Sequence, residues 1–376
     1  MDLYDLTLTK TATPTAQIEA HLRALIEQGK LMPGAKMLSV RQMARRWNTH
    51  IATVHQAVDR LAARSLLISR PRSGLFVCRP EERLTSAAVY VCSDIWRAPW
   101  AGYARALYLS LAATMELRGV QTRLVIDPRP YPEQARPFPE LVRLVKAGEV
   151  QAVFMTAAPT PILRWVARLP VARAVVTASQ KTPHRVEFDA GQFIALALEY
   201  LKSRGCRSVG CLTGSRMAPL SRWNSARDEG HRFFRLWVRK ARELGLELRG
   251  EWHRGSKIAL WRSGLQNQLG YDQFMALWRL KNRPEGLVVL PDSIAPGAIM
   301  AMQACQVKVP RQLNVVFQQN EEVALFCPMP VARVVCRVAD VATALIEQVY
   351  RQLRGEPDQV QRVGYGLKLP ENKPRP

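Results

Sequence analysis

Short apolar runs typical of β-strands alternate with helical stretches from about residue 87 to residue 370. "AAVYVCS" precedes the helical stretch "WAGYARALYLSLAATMELRG", and "QAVFMTA", "ARAVVTA", "SVGCLTG", "GLVVL" and "LNVVF" each follow a helical stretch. Alternation of this kind predicts parallel sheets whose faces are covered by helices. The length suits two such sheets, and ligands bind at the carboxyl ends of the strands in sheets of this type.

The first eighty residues have a different pattern, in which three helical segments precede two short β-type runs. "TAQIEAHLRALIEQG" has one apolar face and ends at Gly29, a residue that commonly terminates helices. "SVRQMARRW" opens with Ser39 and Gln42, which have the spacing of a capping box. These signals predict two helices separated by the turn "MPGAKM".

The third helical segment is "WNTHIATVHQAVDRLAARSLL", in which Ile51, Val54, Val58 and Leu61 form an apolar face. "LLISR" and "LFVCR" follow and are joined by "PRSG", which predicts a hairpin. Two helices, a tight turn, a third helix and a hairpin are the elements of a winged helix-turn-helix. In such a unit the N-terminal half of the third helix enters the major groove of DNA, and the hairpin can contact neighbouring phosphates.

This arrangement predicts which side chains contact DNA, although a small helical domain with solvated polar faces would have a similar pattern. A formal net charge of +23 favours a polyanionic partner, nucleic acid before membrane. The charge is spread along the chain, so it also fits a general preference for arginine. The predicted DNA-contacting residues are Arg41, Thr49, His50, Ala52, Thr53, His55, Gln56, Arg70, Arg72, Ser73 and Gly74.

Two phrases, "LRALIEQGKLMPGAKMLSVRQMARRW" and "ATVHQAVDRLAARSLLISRPRSGLFV", resemble the DNA-binding domain of GntR-type regulators. The resemblance runs from about Thr15 to Val77 and implies a double-stranded operator DNA as partner. Arg41 stands at the arginine of the family's "PSxR" motif, but His50 and His55 stand near positions where the family often has arginine. Because bidentate contacts from arginine to guanine are lost, the operator preference of the family does not transfer.

The remainder resembles the periplasmic-binding-protein-like effector domain of LacI-type regulators over roughly residues 87–370. The matching phrases occur in family order and include "VEFDAGQFIALALEYLKSRGCRSVGCLTG", "RDEGHRFFRLWVRKARELGLEL" and "PEGLVVLPDSIAPGAIMAMQACQVKVP". The whole chain is therefore similar to GntR/LacI fusion regulators. This implies a winged helix-turn-helix in residues 1–80, a linker in residues 81–86, and a two-subdomain α/β domain for effector binding and dimerisation in residues 87–370.

The resemblance also implies which residues line an effector cleft. Arg227 has the place of a ligand-binding arginine, although a surface arginine on a helix would look the same. Asp292 directly follows the strand "GLVVLP" and could contact ligand hydroxyls, stabilise a helix N-terminus, or do both. Trp100 could stack on a sugar or pack in the hinge. The further predicted effector-binding residues are Arg222, Asn224 and Gln319, the last in the place of a family acid.

These features predict a homodimeric transcription regulator, a repressor, whose effector is a small molecule such as a sugar. The seven cysteines form no CxxC and the histidines form no cluster, so free thiols in a reducing cytoplasm and no metal site are expected. No secretory signal or membrane span is apparent. No cofactor is expected.

Two alternatives remain open at this point. Some GntR-type proteins carry an aminotransferase-like module that binds pyridoxal phosphate, but no lysine motif, catalytic triad or phosphate-binding glycine loop stands out here. The chain is therefore not expected to be an enzyme. The departures at the cleft, Gln319 among them, also allow a DNA-binding dimer whose second domain has lost its ligand and serves only dimerisation or protein interaction.

Overall fold

The computed structural model describes residues 3–9, 12–64, 66–70, 73–78, 84–98, 101–130, 132–156, 158, 160–177, 182–216, 231–256 and 265–370. The first unit contains three helices and an antiparallel hairpin, in the predicted order. Its elements are α1 (Pro14–Glu27), α2 (Val40–Arg46), α3 (Ile51–Ala63), β1 (Leu67–Arg70) and β2 (Gly74–Val77). The winged helix-turn-helix prediction is confirmed.

The core of this unit lies between the three helices and the inner face of the hairpin. Val54 and Leu61 of α3 pack there with Ile18 and Leu22 of α1, and all four side chains are fully buried. Ile51 was expected on this apolar face but is 52% exposed. As the first residue of α3 it lies beyond the edge of the core.

The second unit is a six-stranded parallel sheet with strand order β13-β7-β6-β5-β3-β4. Helices α4 and α11 cover one face, and α5 and α6 cover the other. β3 begins at Ser86, within the stretch predicted as linker. The elements are β3 (Ser86–Val91), α4 (Gly102–Glu116), β4 (Gln121–Ile126), α5 (Pro139–Lys146), β5 (Ala152–Met155), α6 (Thr160–Val166), β6 (Ala172–Val176), β7 (Arg185–Phe188), α11 (Val338–Leu353) and β13 (Gln361–Val363).

The third unit is a second six-stranded sheet with strand order β14-β12-β11-β10-β8-β9, parallel except for the edge strand β14. Helices α7 and α8 cover one face, and α9 and α10 cover the other. The elements are α7 (Ala190–Ser203), β8 (Val209–Arg216), α8 (His231–Glu243), β9 (His253–Ser256), α9 (Gln266–Trp278), β10 (Gly286–Leu290), α10 (Ala295–Ala304), β11 (Asn314–Asn320), β12 (Ala332–Cys336) and β14 (Gly366–Lys368).

The chain passes between the two sheets three times. The crossings lie between β7 and α7 at Asp189, between β12 and α11 at Arg337, and between β13 and β14 at residues 364–365. Each α/β unit is therefore assembled from distant parts of the chain. The predicted two-subdomain α/β architecture is confirmed, and the crossings form a hinge about which the subdomains could move.

Candidate functional site

A local network fixes the turn between α2 and α3. Ser39 N donates to Gln42 Oε1 at 2.8 Å, and Gln42 N donates to Ser39 Oγ at 3.3 Å, so the predicted capping box is present. Asn48 has a positive φ of 45°, which reverses the chain directly before α3. As a result α2 and the first turn of α3 enclose an open groove. It is lined by Arg41, Ala44, Arg45, Asn48, Thr49, His50, Ile51 and Ala52.

The outer face of α3 carries the side chains predicted to read bases. Ala52 is exposed, and the His55 side chain is 64% exposed with its Nδ1 2.8 Å from Asp59 Oδ2. Thr53 is half-buried. Gln56 is exposed but its Oε1 accepts a hydrogen bond from Thr15 Oγ1 at 3.1 Å, which ties it to α1. Ala52 and His55 are therefore the exposed side chains of this group that are not tied to another helix, and their contact with DNA stays a prediction.

The tip of the β1–β2 hairpin, which is the wing, belongs to the same unit. Gly74 has a φ of 110°, a conformation in which other residues are strained, and Ser73 beside it is exposed. Arg70 pairs with Gly74 through the backbone, whereas its side chain and all of Arg72 lie outside the described residues. Lys36, exposed and bridged to Phe76 of the hairpin, was not predicted. It adds a positive charge beside the wing.

A cavity of about 150 Å³ lies between the two α/β subdomains. Its wall from the first subdomain is the start of α4, and its wall from the second consists of the starts of α9 and α10 and the segment after β11. The carboxyl ends of parallel strands meet here, as predicted. The lining residues are Gly102, Tyr103, Gln266, Asn267, Asp292, Ser293, Pro296, Val323, Ala324 and Leu325.

Asp292 lines this cavity and is only 8% exposed. Its Oδ2 accepts hydrogen bonds from Asn320 N at 3.1 Å and Asn320 Nδ2 at 2.9 Å, and its own N donates to Gln318 Oε1 at 2.9 Å. Burial raises the pKa of Asp292, and the hydrogen bonds from Asn320 and the Ser293 backbone partly oppose that rise. The carboxyl group is thus held in one orientation at the cavity wall.

Two buried polar atoms in this region have no hydrogen-bond partner among the described residues: the hydroxyl of Tyr103 and Oδ1 of Asn320. The Tyr103 ring packs on Phe188 with centroids 6.0 Å apart, and burial raises the pKa of its hydroxyl. Buried polar groups almost always have partners in folded proteins. Both atoms belong to residues near Asp292, Asn320 through its hydrogen bonds to the carboxylate and Tyr103 through the lining of the same cavity.

The side chain of Gln319 lies on the opposite face of β11 from the side chains of Gln318 and Asn320. Its Nε2 donates to the carbonyl oxygen of Val323 at 3.0 Å, and its Oε1 accepts from Arg333 at 3.0 Å. Its neighbours Gln318 and Asn320 are the residues that contact Asp292, because side chains alternate along a strand. The effector-binding role given to Gln319 remains a prediction, and the position next to Asp292 belongs to Asn320.

Four predicted effector-binding residues, Trp100, Arg222, Asn224 and Arg227, lie outside the described residues, and their roles stay predictions. Tyr103 was missed, although it follows Trp100 closely in sequence. Within the described part of the chain, no cluster of three His, Cys, Asp or Glu side chains could hold a metal ion. None of the described helices is both long and apolar enough to cross a bilayer.

Two family profiles match the chain. The profile described as "Bacterial regulatory proteins, gntR family" matches residues 14–77, and the profile described as "Periplasmic binding protein-like domain" matches residues 198–368. No protein of curated function matches the sequence significantly. The profiles cover the winged unit and most of the second α/β subdomain, including Asp292, whereas Tyr103 of the first subdomain lies outside both.

Solved structures with a similar fold include a LacI-family regulatory protein from Chloroflexus aggregans, which is 14% identical with a TM-score of 0.58 over 77% of this chain and 98% of that chain. The Escherichia coli transcriptional repressor ascG is 16% identical with a TM-score of 0.56 over 76% and 98%. The transcriptional regulator CelR, solved in a cellobiose complex, is 13% identical with a TM-score of 0.61 over 96% and 100%. At these identities the similarity shows the fold.

Proposed function

Because the chain joins a GntR-type DNA-binding domain to a LacI-like, periplasmic-binding-protein-like domain, we propose that this transcription regulator is a repressor controlled by a small polyhydroxyl molecule such as a sugar. The observation that carries the proposal is that buried Asp292 of the second subdomain and Tyr103 of the first line one cavity between the subdomains. Binding rather than catalysis is part of the proposal, since the similar structures are those of regulators.

The groups around the cavity suit hydroxyl groups. A sugar hydroxyl can donate to the Asp292 carboxylate and can accept from the Tyr103 hydroxyl. Pro296, Val323 and Leu325 supply apolar surface for the C–H faces of a ring. The cellobiose bound by the similarly folded CelR is consistent with a carbohydrate ligand here.

The position of the cavity suggests how binding is coupled to a change of shape. Tyr103 belongs to the first subdomain, whereas Asp292 belongs to the second. A ligand that contacts both residues favours the arrangement in which the subdomains are closed. A ligand shifts such an equilibrium only through contacts that differ between the two states.

The proposal includes an assembly and a location. We assign residues 1–80 to DNA binding, residues 81–86 to a linker whose last residue opens β3, and residues 87–370 to effector binding and dimerisation. A homodimer would place two winged units on a two-fold related operator, because the symmetry of the protein dictates that of its site. The protein would act in the cytoplasm, where the DNA is. Footprinting should then show an inverted repeat.

We predict that a sugar from a panel of mono- and disaccharides raises the melting temperature of the full chain, since a ligand that binds only the folded state stabilises it. Asp292→Ala should weaken binding of that sugar by about 1.5–3 kcal/mol, and Tyr103→Phe by about 0.5–1.5 kcal/mol. Asp272→Ala is the matched control, because Asp272 is exposed on α9 and bonds only Gln268 among the contacts described. Titration calorimetry measures all three. If no sugar stabilises the protein, the ligand-free dimerising alternative replaces this proposal.

We also predict that His55→Ala and Thr53→Ala each weaken specific operator binding by about 1–3 kcal/mol while leaving binding to random DNA nearly unchanged. Arg72→Ala should weaken both and lower the salt dependence by about one unit of slope, if Arg72 neutralises a phosphate. Lys30→Ala, an exposed cation outside the predicted interface, should change neither. Salt-titrated anisotropy measures these effects. Equal losses on operator and random DNA from the α3 variants would contradict base reading by α3.

A further inference from the structure

One residue on the outer face of the wing hairpin is buried although this face points away from the core of the winged unit, whereas Phe76 on the same face is half-buried. Leu67, Leu75 and Val77 face the core of the winged unit, and Ile68 therefore points to the opposite face of β1. Ile68 is nevertheless only 7% exposed. It lines a cavity of about 450 Å³ whose other wall comes from the first α/β subdomain.

That other wall is formed by the carboxyl ends of α4 and α11. Tyr350 and Leu353 of α11 supply apolar surface, and Arg118 after α4 stacks over the Tyr350 ring at 5.2 Å. Arg354 also lines the cavity and is paired with Glu347 at 2.7 Å. The walls of the cavity therefore combine a small apolar patch with a charged rim. It leaves a cavity rather than continuous packing, which suits a contact that can open and close.

Helix α3 reaches the same cavity. The cavity and its two walls form the junction between the winged unit and the first α/β subdomain. The outer face of α3 carries exposed Ala52, His55 and Asp59 and half-buried Ala62, and runs from the proposed base-reading end to the cavity, which Asp59 and Ala62 line. Asp59 Oδ2 is 2.8 Å from His55 Nδ1. One hydrogen bond thus separates the junction from a side chain predicted to contact DNA.

Helix α11 connects this junction to the cleft. It begins immediately after the crossing at Arg337, and its first amides, Val338 N and Ala339 N, donate to Glu322 at 2.7 and 3.1 Å. Glu322 directly precedes Val323, which lines the effector cavity. The helix has 16 residues and is therefore about 24 Å long. A rigid helix of this kind would carry a displacement from one end to the other.

We propose that the wing hairpin docks on the carboxyl ends of α4 and α11, and that α11 transmits movements at the cleft to α3 through this junction. The proposal deepens the regulatory function proposed above. It rests on that function only in taking the movement at the cleft to be a response to the effector. The occupant of the surface is the end of α3 and the wing hairpin of the same chain, through Asp59, Ala62, residues 67–69 and Cys78. Ile68 and Tyr350 supply apolar surface on the two sides of the cavity, and the acid Asp59 lies opposite a wall that contains the arginines Arg118 and Arg354 and the acids Glu347 and Glu356.

Alkylation of Cys78 by N-ethylmaleimide in the full chain tests the docking. Cys78 lines the junction cavity and is half-buried. Ile68→Lys should raise the alkylation rate of Cys78 severalfold, because a lysine there disfavours the docked state. The rates of Cys305 and Cys327, followed in the same digest by mass spectrometry, should stay unchanged if the α/β units remain folded. Leu117→Lys is the matched control, since Leu117 also ends α4 but is 84% exposed.

Two further variants test the other steps. Tyr350→Ala approaches the same contact from the α/β side, so it should raise Cys78 alkylation even if Ile68→Lys impairs folding of the hairpin. Glu322→Ala removes the hydrogen-bond acceptor at the start of α11. It should change the alkylation rate of Cys78, which lies near the opposite end of that helix. Unchanged Cys78 rates in Ile68→Lys and Tyr350→Ala would overturn the docking. A changed rate in those two but not in Glu322→Ala would overturn the transmission. No DNA or sugar is present, so failure here is distinct from failure of the proposed function.

Discussion

Gly297→Ala should destabilise the second α/β subdomain by at least about 3 kcal/mol, at the upper end of what overpacking usually costs. A Cβ at Gly297 would lie 1.7 Å from the Asn267 carbonyl oxygen, and one at Gly270 would lie 2.0 Å from that of Ile294. Helices α9 and α10 therefore approach each other through two glycines. An alanine in a helix interior normally stabilises by about 1 kcal/mol relative to glycine, but here the backbone clash outweighs that gain.

Urea denaturation followed by fluorescence measures the change, and Gly366→Ala is the control because nothing lies within 4 Å of a Cβ built there. Asn267 also lines the effector cavity, so surviving Gly297→Ala protein should bind its sugar more weakly. Stability equal to that of the original protein would show that α9 and α10 can separate without cost, and that their close contact does not shape the cleft.

The stability of the same subdomain should fall by about 3 kcal/mol as the pH drops from about 6.5 to about 4, owing to His253 alone. Burial lowers the pKa of His253 to about 4, and the side chain sits in the neutral form. Its Nδ1 donates to the Arg249 carbonyl oxygen at 2.8 Å, and its Nε2 accepts from Trp237 Nε1 at 3.0 Å. A proton on Nε2 would face the Trp237 N–H.

The direction of this pH dependence follows from the number of protons that the folded and unfolded chains bind. The unfolded chain, with an ordinary histidine pKa near 6.5, binds more protons than the folded one between pH 6.5 and 4. The stabilisation is therefore complete above pH 6.5 and is lost toward pH 4. His253→Gln keeps a hydrogen-bonding side chain without the titration, so its stability should depend less on pH by that amount in parallel urea titrations. Equal pH dependence in both proteins would show that His253 is not held neutral.

Features set by neighbouring residues could be predicted from the sequence. The capping box of Ser39 and Gln42 forms because its two partners lie three residues apart on one helix turn. The position of Asp292 followed from a more general property, since residues directly after parallel strands gather at one edge of a sheet. Neither depends on the detailed side-chain packing of distant segments, which explains why both lie where they were expected.

Features set by distant contacts could not be predicted in the same way. Tyr103 and Asp292 line one cavity although 189 positions separate them, because the chain crosses between the sheets before the second subdomain is built. Whether the side chain of Gln319 or that of Asn320 lies beside Asp292 depends on which face of the sheet each residue of β11 points to. Only the packing of Val316 and Phe317 against opposite sides of the sheet shows that facing. The exposure of Ile51 likewise depends on where the core of the winged unit ends.

The most direct test of the account measures operator affinity with and without the stabilising sugar. An operator is first selected from random DNA with the full chain, and its binding is then followed by anisotropy for the original protein and for Asp292→Ala. We expect the sugar to lower operator affinity of the original protein about 5–150-fold, the usual range of allosteric coupling. Asp292→Ala should bind the operator equally well in both conditions. An operator affinity that no stabilising sugar changes, or an unaltered response in Asp292→Ala, would contradict control of DNA binding through the cleft.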